Sequence, residues 1–512
     1  MRLSFNNLIN WINKNKFEFA IVFGIVLIGA LLRLYKIDEY MTFLGDEGRD
    51  VVIVRRFLVN GDIFLIGPGT SIGNMYLGPL YYYLIAPALW VFDYSPVGPA
   101  VMIAVFGIFT ILFIWYVARE WFSSKAGLIA AFLYAIAPTV IIYSRSSWNP
   151  NIMPFFSLLC VYSIWRVYAK SEFKWLLVAG FSYSFVLQSH YLGLLLAPTL
   201  AFFWILALFK NLKMKIKNFL FCSFLGLVIF IGLMSPLVIF DSRHGWRNFE
   251  AIKTFFLERQ STVSAKPWNA LPNFWPLLQK TTSTLLTGKN EILGSWVAAF
   301  LISGLAIVIK DINRLHRKKI IPLAIITVWM GFALLGLGLY KQEIYDHYYG
   351  FFFAAPFVLF AGISSVLISK AKIRGWWIVG TVLVFLIYFN VINNPLNYPP
   401  NRQLQKTEEV ARKIKDEARG EKFNLAVLAE RNYEDAYQYF LEKWGTGVID
   451  IDPLRADETI ANQLFVVCEI PEEKCDPTHN PKTEIANFGW SRISEKWYIS
   501  GIVLYRLVHV DI

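Results

Sequence analysis

Charge is what this chain has least of: only 17% of its 512 residues are Asp, Glu, Lys or Arg, where soluble proteins carry about a quarter. Hydrophobic residues make up 56%. That balance excludes a soluble enzyme and predicts a polytopic α-helical membrane protein. Cysteine is almost missing as well, with four in the whole chain. Cys160 and Cys222 fall in apolar stretches and read as core; Cys468 and Cys475 show no metal-ligand pattern, and their spacing permits a loop-closing disulfide in an oxidising compartment. Ionisable residues are scarce inside the apolar stretches, which argues against a transporter with its site at the bilayer midplane.

What the chain does have is long apolar runs. A span needs roughly 20 apolar residues, and such runs recur from about residue 18 to about residue 392, giving about eleven transmembrane helices. The first has no small-residue cleavage site after it and reads as a retained anchor. The net charge of +12 sits in short connecting loops: Lys14 and Lys16, Arg119 and Lys125, Lys170 and Lys174, Lys210 to Lys217 (including Lys213), Arg314 to Lys319, and Lys370 to Arg374. That is the positive-inside pattern, with the N-terminus cytoplasmic; no nucleic-acid motif accompanies it, so no nucleic-acid partner is expected. The loops 36–96 and 241–291 then lie outside. Within the first, Asp50 to Val59 and YLGPLYYYLIAPALWVF read as interfacial helices on the outer face, in keeping with an aromatic content of 17%.

After the Pro/Asn-rich NNPLNYPPNR the composition turns polar. The chain therefore divides into a membrane domain, 1–395, and a small C-terminal α/β extracytoplasmic domain, 396–512. The latter has a helix pattern at TEEVARKIKDEA and strand-like runs FNLAVLAE, NQLFVVCEI and YISGIVLYRLVHV.

This topology gathers the polar clusters on the outer face: Asp46, Glu47 and Arg49; Asn74 and Tyr76; Arg145, Trp148, Asn149 and Asn151; Gln188, His190 and Tyr191; Asp241, Arg243, His244 and Arg247; and Lys341 to Tyr348, with His347. The segment GDEGRD at 45–50, read as a loop, places two adjacent carboxylates at a membrane edge, where desolvation is costly. A carboxylate that takes a proton, cations that bind phosphate, and an apolar flank for a lipid tail suit transfer from a lipid phosphate.

The Asp-Glu pair, the downstream PLYYYL, YVAREWFSSKAGLIAAFLYAIAP, the following YSR, and PLVIFDSRHGW together resemble the membrane glycosyltransferases of the GT-C class, in particular protein O-mannosyltransferases and the aminoarabinose transferases that modify lipid A. The match covers about residues 18–250; later spans agree by hydropathy only. The resemblance implies transfer of one sugar from a polyprenyl-phosphate donor to a lipid, protein or glycan acceptor at the outer face of the plasma membrane, with inversion. It implies Asp46 as general base, with Glu47 orienting the acceptor or joining His190 around a divalent metal ion. Arg145, Arg243 and Arg247 either snorkel to headgroups or compete for the donor phosphate. His347 and Tyr348 line that phosphate or belong to the aromatic belt.

Two departures bear on the site. SPVGPAVMIAVFG lacks the arginine the family often has early in the second span, and Asn149, Pro150 and Asn151 stand where an aspartate commonly follows YSR. The first leaves the phosphate ligand open; the second shifts catalytic weight to Asp46. The competing readings are a lipid-linked sugar transporter or flippase, an oligosaccharide ligase, and a membrane scaffold.

Overall fold

A computed structural model describes residues 5–70, 75–212, 215–257, 262–310 and 317–510; Asn74, Lys213 and Arg314 lie outside the described residues. Eight described helices are long and apolar enough to cross a membrane. They are Lys16–Leu34, Val97–Trp121, Asn149–Lys170, Tyr191–Asn211, Ile216–Arg243, Glu291–Lys310, Lys319–Gly338 and Ala354–Ile392. The last is two helices: Lys372 has φ 49° and ψ −118°, and Gly375 sits against Leu367 and Ile368, so the chain turns back among its basic residues. Two shorter apolar helices complete the set, Trp175–Ser189 and Ser124–Ile136, the latter continued past Ala137 by Pro138–Tyr143. The segments number about eleven, as hydropathy predicts.

Ion pairs and ring contacts tie the basic ends together. Glu18 pairs with Arg119 at 2.7 Å, Arg166 pairs with Glu120 and Glu172, and the Lys125 ammonium lies 4.6 Å from the Trp376 ring centroid. At the opposite end Asn149 Nδ2 donates to Ser189 O at 2.5 Å and Arg402 N to Glu39 O at 2.9 Å. The Leu80–Val91 helix has both ends there. Leu80 N donates to Gln188 Oε1 at 3.2 Å, and Tyr94 O, just past the helix, accepts from Lys443 at 3.1 Å. It therefore lies across the bundle, as an interfacial helix should.

Three elements differ from the sequence reading. GDEGRD is not a loop but the opening of a helix, Gly45–Asn60. Residues 241–291 are not loop throughout: Arg247–Leu257 and Leu271–Leu286 are helical. The second lies across the same end of the bundle, with Asn273 Nδ2 donating to Gly338 O at 2.8 Å and Asn390 Nδ2 donating to Leu286 O at 2.6 Å. YISGIVLYRLVHV is a hairpin, because Ser500 and Gly501 both take positive φ, 51° and 83°, as a tight two-residue turn requires.

The C-terminal sheet comprises β1 (Asn424–Leu428), β2 (Gln463–Cys468), β3 (Ser491–Ile499) and β4 (Ile502–His509), ordered β1-β2-β4-β3. β1 and β2 are parallel and wholly buried, which explains their unbroken apolar runs. Cys468 and Cys475 are joined by a disulfide. The sheet domain docks through the Asp435–Lys443 helix onto Gly45–Asn60. Phe43 packs edge-on to Tyr439 and Phe440, with centroids 6.3 and 5.8 Å apart, and Arg56 pairs with Glu442. The rings carry most of this contact: burying one stabilises by about 1.5–3 kcal/mol, against about 1 kcal/mol or less for a half-exposed ion pair.

Candidate active site

The Gly45–Asn60 helix begins where Leu44 is extended, and Glu47, in the first turn, folds back so that its Oε2 accepts from Leu44 N at 3.1 Å. Carboxylates in a first turn satisfy free N–H groups and favour the positive end of the helix dipole. The acidic pair thus starts the helix instead of interrupting it. Glu47 is buried and Asp50 fully so, while the Asp46 side chain is 42% exposed. Arg49 lies between two carboxylates: Nη1 donates to Asp46 Oδ1 at 2.8 Å, and Nη2 and Nε donate to Asp50 Oδ1 at 2.8 and 3.1 Å. Tyr433, from the segment leading into the docked helix, donates its hydroxyl to the same Asp46 Oδ1 at 2.6 Å. Among the described residues Asp46 Oδ2 has no hydrogen-bond partner.

Burial raises Glu47 to about 7, with Asp46 and Asp50 adding to it. Burial also raises Asp50 to about 6 against the pull of Arg49; among the described residues its Oδ2 has no hydrogen-bond partner of ordinary geometry, and the Tyr82 hydroxyl lies beside it. Burial works against the charge on Arg49, but Asp50, Tyr82, Tyr433 and Asp46 outweigh it and hold the guanidinium charged.

A second group comes from three short turns. His347 lies 4.5 Å, centroid to centroid, from Trp148, 4.6 Å from Tyr348 and 5.7 Å from His190; His190 stacks on Tyr191 at 4.5 Å. Tyr143 completes the wall at 6.4 Å from His347. Burial lowers His190 to about 3 and His347 to about 4, although Asp346 and Asp46 are near enough to pull His347 the other way. Both rings are therefore neutral near pH 7. His190 Nδ1 accepts from Leu192 N at 3.2 Å. Tyr191 is also a wall of an apolar groove of about 140 Å³, formed with Leu192, Leu195, Ile252, Phe255 and Leu339.

The remaining sequence candidates divide. Arg145 is buried, with Nη1 donating to Leu32 O at 2.7 Å and Nη2 to Tyr35 O and Lys36 O at 2.6 and 3.2 Å; it closes the end of the first span. Arg33 makes the reciprocal contact, donating to Tyr134 O and Ala135 O at the end of another helix. Asn149 and Asn151 hold backbone: Asn149 bonds Ser189 O, and Asn151 Nδ2 donates to Ser146 O at 2.8 Å. Tyr76 N donates to Asn248 Oδ1 at 2.7 Å, and its ring faces Phe240. His244 stacks on Phe240 with centroids 4.0 Å apart. Arg243 and Arg247 are exposed, and neither guanidinium hydrogen-bonds another described residue. Asp46, Arg49 and His347 come together, as do His190, Tyr191 and His347; Arg145 is engaged elsewhere.

Glu47 Oε2 and His190 Nδ1 each accept from a backbone N–H on their own turn, and among the described residues no group of three or more His, Cys, Asp or Glu is placed to hold a metal ion. Tyr433 and Tyr143 are the site neighbours that sequence reasoning missed. Tyr143 adjoins the YSR signal, whereas nothing local marks Tyr433.

A family model for dolichyl-phosphate-mannose-protein mannosyltransferases matches residues 77–240. The crystal structure of ArnT from Cupriavidus metallidurans bound to undecaprenyl phosphate aligns at a TM-score of 0.59 and 12% identity, over 95% of this chain and 97% of that one. The chain resembles the GT-C class. AglB, an archaeal oligosaccharyltransferase from Archaeoglobus fulgidus in complex with an inhibitory peptide and a dolichol-phosphate, aligns at 0.55 and 15% identity, over 89% of this chain and 70% of that one. No curated protein matches in sequence. At these identities the structural likeness is one of fold: a multi-pass GT-C membrane bundle with a small C-terminal sheet domain.

Proposed function

We propose that the protein transfers a single sugar from a polyprenyl-phosphate donor to an acceptor hydroxyl or amine, with inversion, at the end of the bundle that carries the C-terminal domain. The carrying observation is Asp46: half-exposed, fixed through Oδ1, and without a partner at Oδ2 among the described residues. A carboxylate held in this way presents one oxygen to an acceptor proton. The acceptor's lone pair attacks the anomeric carbon, the carbon–oxygen bond to phosphate breaks, the proton moves to Asp46 Oδ2, and the lipid phosphate leaves with the bonding pair. Inversion follows from a single displacement on the face opposite the phosphate.

The apolar groove beside Tyr191 suits an isoprenoid tail, and the histidines at its head are hydrogen-bonding groups without charge. Cationic help for the leaving phosphate falls to Arg243 and Arg247, whose guanidinium groups have no other bonds among the described residues; a departing phosphate gains charge that such donors stabilise. Glu47 supports the turn that presents Asp46. The basic loops at the opposite end favour a plasma-membrane orientation with the N-terminus cytoplasmic and the active end extracytoplasmic.

Purified protein given polyprenyl-phosphate sugars should release polyprenyl phosphate, and Asp46→Asn should abolish the release. Transfer by Asp46→Asn at the wild-type rate would overturn the assignment. Mass spectrometry of surface glycans in a deletion strain identifies sugar and acceptor.

A further inference from the structure

The C-terminal domain reaches the proposed base directly. The Tyr433 hydroxyl donates to Asp46 Oδ1 at 2.6 Å and accepts from Arg49 Nη1 at 3.4 Å. The Tyr433 ring lies on Gly45, where any Cβ would come within 2.4 Å of ring atoms, so a helix residue has given up its side chain to admit this tyrosine. The segment is itself held. Asn432 Oδ1 accepts from Tyr433 N at 2.9 Å, and Glu469 Oε1, just past β2, accepts from Asn432 Nδ2 and the Tyr437 hydroxyl, both at 2.5 Å. The hydroxyl is thus aimed by the sheet domain.

We propose that Tyr433 is a positioning residue for Asp46: by donating to Oδ1 alongside Arg49, it fixes the carboxylate plane and directs Oδ2 toward the acceptor. This rests on Asp46 acting as the base. Two donors on one oxygen leave the other as the site of proton uptake, and a hydrogen bond to the ionised form favours that form. The ionisable groups facing Asp46 are Arg49, Glu47 and Asp50 on its own helix, Tyr433 from the C-terminal domain and His347 from residues 346–352. Of these, Tyr433 and Arg49 bond it, and Tyr433 alone is supplied by the other domain.

The test is kcat/KM against pH for the full chain carrying Tyr433→Phe, which keeps the ring on Gly45 and removes the donor. The acid limb should move up by about one pH unit, with roughly a tenfold fall in rate on that limb and partial recovery at alkaline pH. Asn432→Ala, which loosens the segment and leaves the hydroxyl in place, should move the limb the same way by less. Glu442→Gln, which cuts the Arg56 docking pair remote from Asp46, should leave the limb where it is. An unmoved limb in Tyr433→Phe and Asn432→Ala, with Asp46→Asn inactive, refutes positioning by Tyr433 and leaves the base intact. An equal shift in Glu442→Gln reduces the effect to docking and also refutes it. Activity in Asp46→Asn removes the underlying reading by a separate route.

Discussion

Gly48 faces the backbone of Ala436 so closely that a Cβ at position 48 would lie 2.4 Å from the Ala436 nitrogen. The glycines around the acidic pair, which look like loop residues, are the places where a second domain presses on a helix.

Gly48→Ala should therefore lift the C-terminal domain from the helix. Overpacking of this kind costs about 1–3 kcal/mol, because the facing atoms of Asp435 and Ala436 are main chain and cannot rotate away. A lower unfolding temperature and faster proteolysis between residues 395 and 435 are the expected readouts.

Glu47 and Asp50 make stability pH-dependent in a definite direction. Their folded values of about 7 and about 6 lie above the ordinary 4.5 and 3.8, so between these limits the folded chain binds protons that the unfolded chain has released. Their contribution is full below the ordinary values and is lost as pH rises through 6 and 7. Thermal unfolding followed from pH 4 to pH 8 should show a decline that is shallower in Glu47→Gln than in the wild type.

Arg145 and the exposed pair Arg243 and Arg247 should behave oppositely. Arg145→Ala strands the carbonyls of Leu32, Tyr35 and Lys36 and should cost about 3 kcal/mol of stability. Arg243→Ala combined with Arg247→Ala should leave unfolding within about 0.5 kcal/mol and raise KM for the lipid donor several-fold. Calorimetry and donor titration separate the two.

His347 is neutral at working pH, held at about 4 by burial. His347→Phe, which keeps a ring against Trp148, should lower kcat/KM by roughly tenfold or more without altering the shape of its pH dependence above pH 5.5. A histidine ionisation that disappears from the profile with this substitution would contradict that account.

The spans were legible because apolar runs of bilayer length have few other uses. Leu271–Leu286 was not, since its prolines, Gln279, Lys280 and a Thr-rich turn conceal a helix whose Thr281 and Thr282 are buried by packing, with the Thr282 hydroxyl donating to Leu278 O and Gly294 O. Asp46 was legible as an acidic pair at a membrane edge, but its helical setting was not, because Gly45 and Gly48 punctuate a sequence as turns do. Arg145 carried the expected charge in the expected place, and only the carbonyls around it reveal a different task. Tyr433 lies 387 positions from Asp46, and no local pattern spans that distance.

The fit of Gly45 and Gly48 to Tyr433 and Ala436 limits how this protein can be rebuilt. A sheet domain borrowed from a relative to change acceptor choice would bring its own segment against the helix, and any side chain there larger than the contact admits would hold the graft away. Successful chimeras should be those that exchange residues 45–56 and 432–443 as one cassette.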